Sequence, residues 1–351
     1  MIADITLEPY RLRLRRPWRS ARGTDGARGG WLVRCEADGL VGYGDCAPLP
    51  AAGTEDEVAA WGWLCTWRGR SLGCSVGAAL ADLDRGEPGA PAARFAAESA
   101  LADLAAKAAG VPLARWLDPS MDPGAPLSAP VNAALGPLAE LTPEDLAACA
   151  AEGYRVFKVK VGLDGLEADL VRLAGLAPHL PPGGQFRLDA NGAWTLPEAA
   201  RAVAALNALP VEALEEPLRD PTPDHLRQLQ AEARFPLALD ESLTRGGVWP
   251  NAAAAPVRRL VVKPAVLGGL RRTLALARAA EAAGRELVVT SLIESAAGLW
   301  PTVHLAVAVG SSIPQGLATA GWLAEDLGEA PRARAGRITI PNVPGGGFRP
   351  G

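Results

Sequence analysis

Three carboxylates recur at a regular interval in the second half of the chain, Asp189 in RLDANG, Glu215 in LEEPL and Asp240 in LALDES, each at the end of a short apolar run. Lysines end the flanking runs: Lys158 and Lys160 in FKVKVG, and Lys263 in VVKP. No His or Cys lies near these ends. An all-oxygen set of three acids favours a hard divalent cation, Mg²⁺ with Mn²⁺ as a substitute, over Zn²⁺. Lys158 and Lys160 stand two apart, so both project from one face of a strand. A lysine crowded by another cation and partly desolvated can act as a base near neutral pH. A cation between opposed lysines suits removal of a proton α to a carboxylate, because it neutralises the charge that develops as the proton leaves.

A repeat must position these residues. Short β-type runs (PVNAAL, RVFKVKVG, QFRLDANG, VEALEEP, PLALDES, RRLVVKP, ELVVTS) alternate with helical stretches such as LPEAARAVAALNAL and LRRTLALARAAEAAG. The run-end markers Lys160, Asp189, Glu215, Asp240, Lys263 and Thr290 are 29, 26, 25, 23 and 27 residues apart, which is the length of a βα unit. With IPQGLAT as a last strand the count reaches eight, so the spacing predicts a (β/α)₈-type barrel over residues 126–320. Strands of a parallel barrel are buried on both faces, and active sites form at their C-terminal ends. Ser291 and Glu294 follow the seventh run. Unpaired buried ions at such ends would cost several kcal/mol each, so the charges must pair.

Residues 1–120 have a different texture. ITLEPYRLRLR alternates as a strand, WLVRCEADGLVGYGDCAPLP reads as a hairpin turning at Asp38-Gly39, and EDEVAAWGWLCTW opens a helix. PWRSARGTDGARGG, rich in Gly and Arg, is expected to be a mobile loop. A long amphipathic helix is expected over 92–117 with a stop at Gly110. GYGDCA is no dinucleotide fingerprint, since Ala47 takes the place of the third glycine and no helix opens there. The tail, 321–351, is too short for a domain and is expected to pack back on the N-terminal part.

Composition narrows the partners. A formal charge of −4 offers no basic field for nucleic acid or an anionic membrane. The 5 cysteines form no CxxC pair and suit reduced cytoplasmic thiols. Asp4 and Glu8 interrupt any leader-like apolar run, and Glu294, Pro301 and His304 interrupt the stretch from Leu287 to Val309, so buried core is expected there rather than a membrane span.

FKVKVG, RLDANGAW, LEEPL, LALDESL, VVKPAVLGG and TSLIES together resemble the successive barrel motifs of the enolase superfamily, in its muconate-lactonizing branch. GYGDCAPLP resembles the hairpin of that superfamily's α+β capping domain, which the N-terminal part and the C-terminal tail would form. The resemblance implies Mg²⁺ on Asp189, Glu215 (rather than Glu216) and Asp240. It makes Lys160 the base, Lys263 the group on the opposite face and Lys158 the residue that keeps Lys160 poised, with Asn191 and Glu241 supporting the ligands. Within the branch, Arg187, SLIES and IPQGLATAGWL are most similar to the o-succinylbenzoate synthases, which dehydrate a small dicarboxylate substrate. Ser291, Gly316 and Arg187 would then bind substrate, with Arg19, Arg22 and Arg28 of the expected loop helping to cover it. Dipeptide epimerases and N-succinylamino acid racemases are the alternative on the same scaffold. The epimerases carry a DxD where this chain reads GLATAGW.

Overall fold

Alternating apolar residues build two long antiparallel strands, β1 (Ile2–Ser20) and β2 (Gly23–Ala37), followed by β3 (Leu40–Cys46) in the order β1-β2-β3. The structure, a computed structural model, describes residues 1–20, 23–86, 89–245 and 252–351, with the backbone alone at 16–20, 23–25 and 244–245. Asp38 and Gly39 turn from β2 to β3 with φ of 51° and 76°, the paired left-handed conformation of a tight hairpin. The described residues of the expected loop are instead strand: Tyr10 pairs with Gly30, Arg11 with Gly29, Leu12 with Arg28 and Arg13 with Ala27. At Gly30 the glycine serves close approach and not a turn, since a Cβ there would lie 2.0 Å from the Cys46 carbonyl oxygen.

Four helices follow: α1 (Glu57–Ser71), α2 (Val76–Arg85), α3 (Pro91–Ala108) and α4 (Leu113–Leu117). The helix expected over 92–117 therefore ends at Ala108, with Gly110 at φ 70° and α4 separate. Nor is α3 amphipathic, because both of its sides are covered. Against β3 its backbone lies directly on Gly42 and Gly44, where a Cβ would sit 2.1 Å from the Ala100 and 2.0 Å from the Ala96 carbonyl oxygen.

The repeat then begins. After β4 (Ser128–Pro130) come β5 (Ala133–Pro137), α5 (Pro143–Ala151), β6 (Val156–Lys160), α6 (Leu166–Leu176), β7 (Gln185–Asp189), α7 (Leu196–Leu206), β8 (Val211–Glu215) and α8 (Pro223–Glu232). These are followed by β9 (Leu237–Leu239), α9 (Glu241–Arg245), β10 (Arg259–Val262), α10 (Pro264–Leu267), α11 (Leu270–Ala282), β11 (Glu286–Val289), α12 (Ala296–Val309) and β12 (Arg337–Thr339). Strands β5 to β11 form one curled parallel sheet of seven strands. The expected eighth strand is reduced to isolated parallel bridges, Gln315 to Val131 and Gly316 to Thr290, which link the two edges. Pro314 has no N–H to donate, and the Gln315 side chain itself accepts from the Val289 N–H at 2.7 Å, replacing part of a regular ladder. Between β9 and β10 the described residues show only α9 and a 3₁₀ turn at Ala252–Ala254, where the repeat predicts a helix.

The N-terminal elements are bonded to this sheet through α3. Glu98, wholly buried, accepts from the Leu270 N–H at 2.9 Å, the Arg271 N–H at 3.2 Å and Arg271 Nε at 2.7 Å, placing an anion on the N-terminus of α11. Gly269 makes room for it, since a Cβ there would fall 1.8 Å from Glu98 Oε2. The tail touches both parts: Ile338 of β12 pairs with Ala129 of β4, and Phe348 packs with Leu32, Ala296 and Ala297. Among the described residues no helix is long and apolar enough to cross a membrane. The five cysteines are free thiols.

Gly44→Ala is expected to lower unfolding stability in urea by about 3 kcal/mol, because the obstructing atom is helix backbone and cannot rotate away. An unchanged midpoint would mean that β3 and α3 are not in backbone contact.

Candidate active site

Lys160, Asp189 and Glu215 are the last residues of three adjacent strands, and they pair across them in register, Lys160 with Asp189 and Asp189 with Glu215. Glu215 in turn lies beside Ala238, so Asp240 follows one pleat further on, directly after β9, and Lys263 comes directly after β10. Phe157 and Val159 are fully buried in the apolar core, which leaves Lys158 and Lys160 on the opposite face of β6. The sequence-predicted acids and lysines therefore meet at one end of the sheet.

Lys158 Nζ ion-pairs with Asp189 Oδ2 at 3.2 Å and with Glu215 Oε2 more closely, and Lys263 Nζ pairs with Asp240 Oδ1. Burial alone would lower both of these lysines, but Asp189 and Glu215 hold Lys158 raised, and Asp240 and Glu241 do the same for Lys263. Lys160 moves the other way: burial, together with the charges of Lys158 and Lys263, outweighs Asp189 and lowers it. Two lysines thus neutralise acids, while the third is held below the usual lysine range.

Glu216 is excluded from this group by its backbone. At φ 45° it turns away, and its carboxylate accepts from the Asp240 N–H at 2.7 Å, the Ser242 N–H at 2.8 Å and Ser242 Oγ at 2.7 Å. It fastens the turn that carries Asp240. Asn191, also left-handed at φ 45°, donates its N–H to Asp189 Oδ1 at 3.2 Å and its side-chain amide to Glu241 Oε1 at 3.3 Å. Burial and neighbouring Asp240 push the Glu241 carboxyl up to about 7.

The residues expected to bind substrate are placed differently. Ser291 Oγ is 2.7 Å from Thr319 Oγ1, and Gly316 is packed on Thr290, whose Oγ1 would stand 2.4 Å from a Cβ. Both lie at the same end of the sheet as the lysines. Arg187 is not brought to the others, because it pairs with Lys158 in register, one pleat below Asp189. A register shift in β8 brings Glu212 to its Nε at 2.8 Å, while its Nη1 donates to Asn132 at 3.1 Å and to the Pro314 carbonyl at 2.9 Å. Glu212 also meets Arg259 at 2.6 Å. This buried network has no alternating or periodic signature by which sequence reasoning could have found it. Arg28 is likewise corrected: it is 4% exposed, and its guanidinium donates to the carbonyls of Ala47, Pro48 and Ile293. Arg22 and the side chain of Arg19 lie outside the described residues.

Arg28 belongs to a cluster that joins the hairpin to the loop after β11. Asp45, fully buried, accepts from Tyr10 Oη and from both the N–H and Oγ of Ser295, each at 2.8 Å. Ile293 is held at φ 58°, a strained conformation for a β-branched residue. Next to it Glu294 accepts from the Leu292 N–H at 2.8 Å through Oε2, while its buried Oε1 has no partner among the described residues. Burial, with Asp45 adding to it, pushes the Glu294 carboxyl up to about 7. The motif GYGDC and the acid after the seventh run were the only sequence signals for this junction.

Among the described residues no three His, Cys, Asp or Glu side chains converge closely enough as placed to hold a metal ion. Lysine ammonium groups sit on the oxygens of Asp189, Glu215 and Asp240 instead. The donors fit a hard cation in kind, being three carboxylates on adjacent strands that already accept positive charge.

The Enolase C-terminal domain-like family matches residues 143–350. The o-succinylbenzoate synthase of Thermobifida fusca is 35% identical over 210 residues, covering 58% of this chain and 63% of that protein. That of Enterobacter sp. (strain 638) is 30% identical over 314 residues, covering 86% of this chain and 85% of that protein. A crystal structure of a dipeptide epimerase from Methylococcus capsulatus, complexed with Mg and the dipeptide L-Arg-D-Lys, superposes with a TM-score of 0.86 at 30% identity, covering 99% of both chains. The chain belongs to the enolase superfamily and is an enzyme of it.

The folded state holds the Glu294 proton to a higher pH than the unfolded chain does, so its contribution to stability is whole in the acid range and is lost as pH rises through about 7. Glu294→Gln stays neutral throughout. Between about pH 5 and about pH 8 the parent should lose roughly 1–3 kcal/mol of unfolding stability relative to this variant. Parallel urea curves for the two proteins across that range would contradict a buried, proton-holding Glu294.

Proposed function

We propose that the chain is an o-succinylbenzoate synthase, a cytoplasmic Mg²⁺-dependent lyase of menaquinone biosynthesis that dehydrates 2-succinyl-6-hydroxy-2,4-cyclohexadiene-1-carboxylate. The observation that carries this reading is the single row of strand ends on which Asp189, Glu215 and Asp240 stand between Lys160 and Lys263. A divalent cation held by the three acids would supply positive charge to the substrate carboxylate. Lys160 takes the proton from the carbon that bears that carboxylate. The same ammonium then gives a proton to the departing ring hydroxyl on the same face, so water leaves and the ring becomes aromatic. Lys263, four strands along the sheet, presents a cation to the other face of the ring while charge is delocalised over it. Lys158 keeps Asp189 and Glu215 compensated beneath Lys160.

A second reading, isomerisation of a dipeptide or an N-succinylamino acid, is favoured by the whole-length likeness to the Methylococcus dipeptide epimerase and by the lysines on both sides of the acids. Against the dipeptide form stands the segment Gly316–Trp322, GLATAGW, which contains no acid to pair with a substrate ammonium.

Purified protein with Mg²⁺ should consume the cyclohexadiene substrate, seen as loss of its ultraviolet absorbance, and EDTA should stop it. Lys160→Ala should lower kcat by about 10³-fold with the circular dichroism spectrum unchanged. No turnover by demonstrably folded protein would refute the synthase reading. Epimerisation of dipeptides or N-succinylamino acids by the same sample, followed by loss of α-proton signal in D₂O, would install the second.

A further inference from the structure

Where the hairpin meets the loop after β11, a buried acid is left short of partners. Glu294 accepts from the Leu292 N–H through Oε2, while nothing among the described residues bonds its buried Oε1. Asp45 stands close by. A Cβ at Gly298 would lie 2.7 Å from the Glu294 Cβ and 3.0 Å from the Asp45 Cβ, so the two acids flank a single glycine. Both feel one cation, Arg28, and the donors favour charge on Asp45: Tyr10 Oη, the Ser295 N–H and Ser295 Oγ all bond its carboxylate. The proton therefore rests on Glu294, in keeping with the upward shift to about 7 that burial and Asp45 impose on it. Of the other titratable groups around this gap, Tyr10 on β1 and the Cys46 thiol on β3 are both pushed up by burial, and Asp326 of the tail accepts from the Ala296 and Leu327 N–H groups. The first turn of α12, Ala296 to Leu299, is apolar.

The same groups hold a strained turn. Ile293 sits at φ 58°, and the hairpin grips it from both sides: its carbonyl accepts from Arg28 Nε at 3.3 Å, and the Ser295 N–H is taken by Asp45 at 2.8 Å. Inside the turn, Ile293 donates its N–H to Ser291 Oγ at 3.4 Å, and that oxygen lies 2.7 Å from Thr319 Oγ1. The Ser291 hydroxyl is thus oriented by the turn, and the turn by Arg28 and Asp45. Loss of the Glu294 proton puts a second negative charge into the gap. That charge repels Asp45 and competes for Arg28, the two groups that keep Ile293 in its left-handed conformation.

We propose that Glu294 is a positioning residue whose proton latches the turn over residues 291–295: neutral, it leaves Arg28 and Asp45 to hold Ile293 and the Ser291 hydroxyl in place, and ionised, it releases them. The turn is fastened below about pH 7 and loosened above it, because the folded, fastened state is the one that retains the proton. The consequence for substrate rests on the synthase reading, in which Ser291 contacts substrate; the latch itself does not.

Hydrogen exchange at the Ile293 and Ser295 amides, read as protection relative to the intrinsic rate at each pH, tests the latch without substrate. Protection should fall at least about tenfold between about pH 6 and about pH 8.5 in the parent and stay level in Glu294→Gln, which cannot ionise. Should Glu294→Gln fold poorly, Asp45→Asn answers the same question, because removing the neighbouring charge should move the midpoint of that fall to lower pH. With substrate, the ratio of parent KM to Glu294→Gln KM should rise at least about fivefold over the same range, while the ratio of their kcat values stays constant. Protection that is flat in the parent, or that falls alike in parent and Glu294→Gln, overturns the proposal. So does a fall in protection with no change in the KM ratio. Absence of turnover refutes the synthase reading, and the exchange result then decides the latch alone.

Discussion

Asp189, Glu215, Asp240, Lys158 and Lys263 share the end of one buried parallel sheet, and pairing among them offsets the cost of their burial. Asp189, Glu215 and Asp240 each lose most of their hydration there, and so do Lys158 and Lys263. The two lysines on the acids restore the balance. Charge that is compensated by mobile ammonium groups differs from charge locked into a planar bidentate pair, because a lysine can give up its contact by rotating a flexible stem. The contrast lies one pleat below Asp189, where Arg187, Glu212 and Arg259 form a bidentate network. The interior of the sheet is thus stratified: fixed arginine pairs beneath, exchangeable lysine pairs where a cation and substrate would enter.

The N-terminal part matters to that end of the sheet because it is bonded to it at two separate places. Glu98 of α3 caps α11, and the Asp45, Tyr10 and Arg28 cluster holds the loop after β11, including the strained Ile293. Each junction uses a buried acid to satisfy backbone N–H groups at the start of a helix, Leu270 and Arg271 in one case and Ser295 in the other. Neither junction relies on apolar packing alone. The hairpin also carries Leu49 and Ala52 down onto the barrel core, so the two layers are continuous.

Much of this was legible from local pattern. The βα period and the acids and lysines at the run ends follow from chain geometry that repeats every 23 to 29 residues, and the Asp38-Gly39 turn follows from the conformations those residues tolerate. The alternation in FKVKVG placed Lys158 and Lys160 on one face for the same reason. Local pattern could not distinguish Glu215 from Glu216, which are adjacent and identical; the left-handed backbone at Glu216 did so by turning its carboxylate onto Asp240 and Ser242. Gly30 reads as loop, yet it is strand, because a glycine required by a neighbouring backbone looks the same in sequence as one required by a turn. Arg187 and Arg28 likewise carried a charge that suggested substrate, and both proved to be occupied by partners 19 to 265 residues away. Residue type and period thus determined which groups could do chemistry and on which strand ends they stand. Which of them remain available was decided only by tertiary packing, since a buried charge binds whatever partner the fold brings within reach.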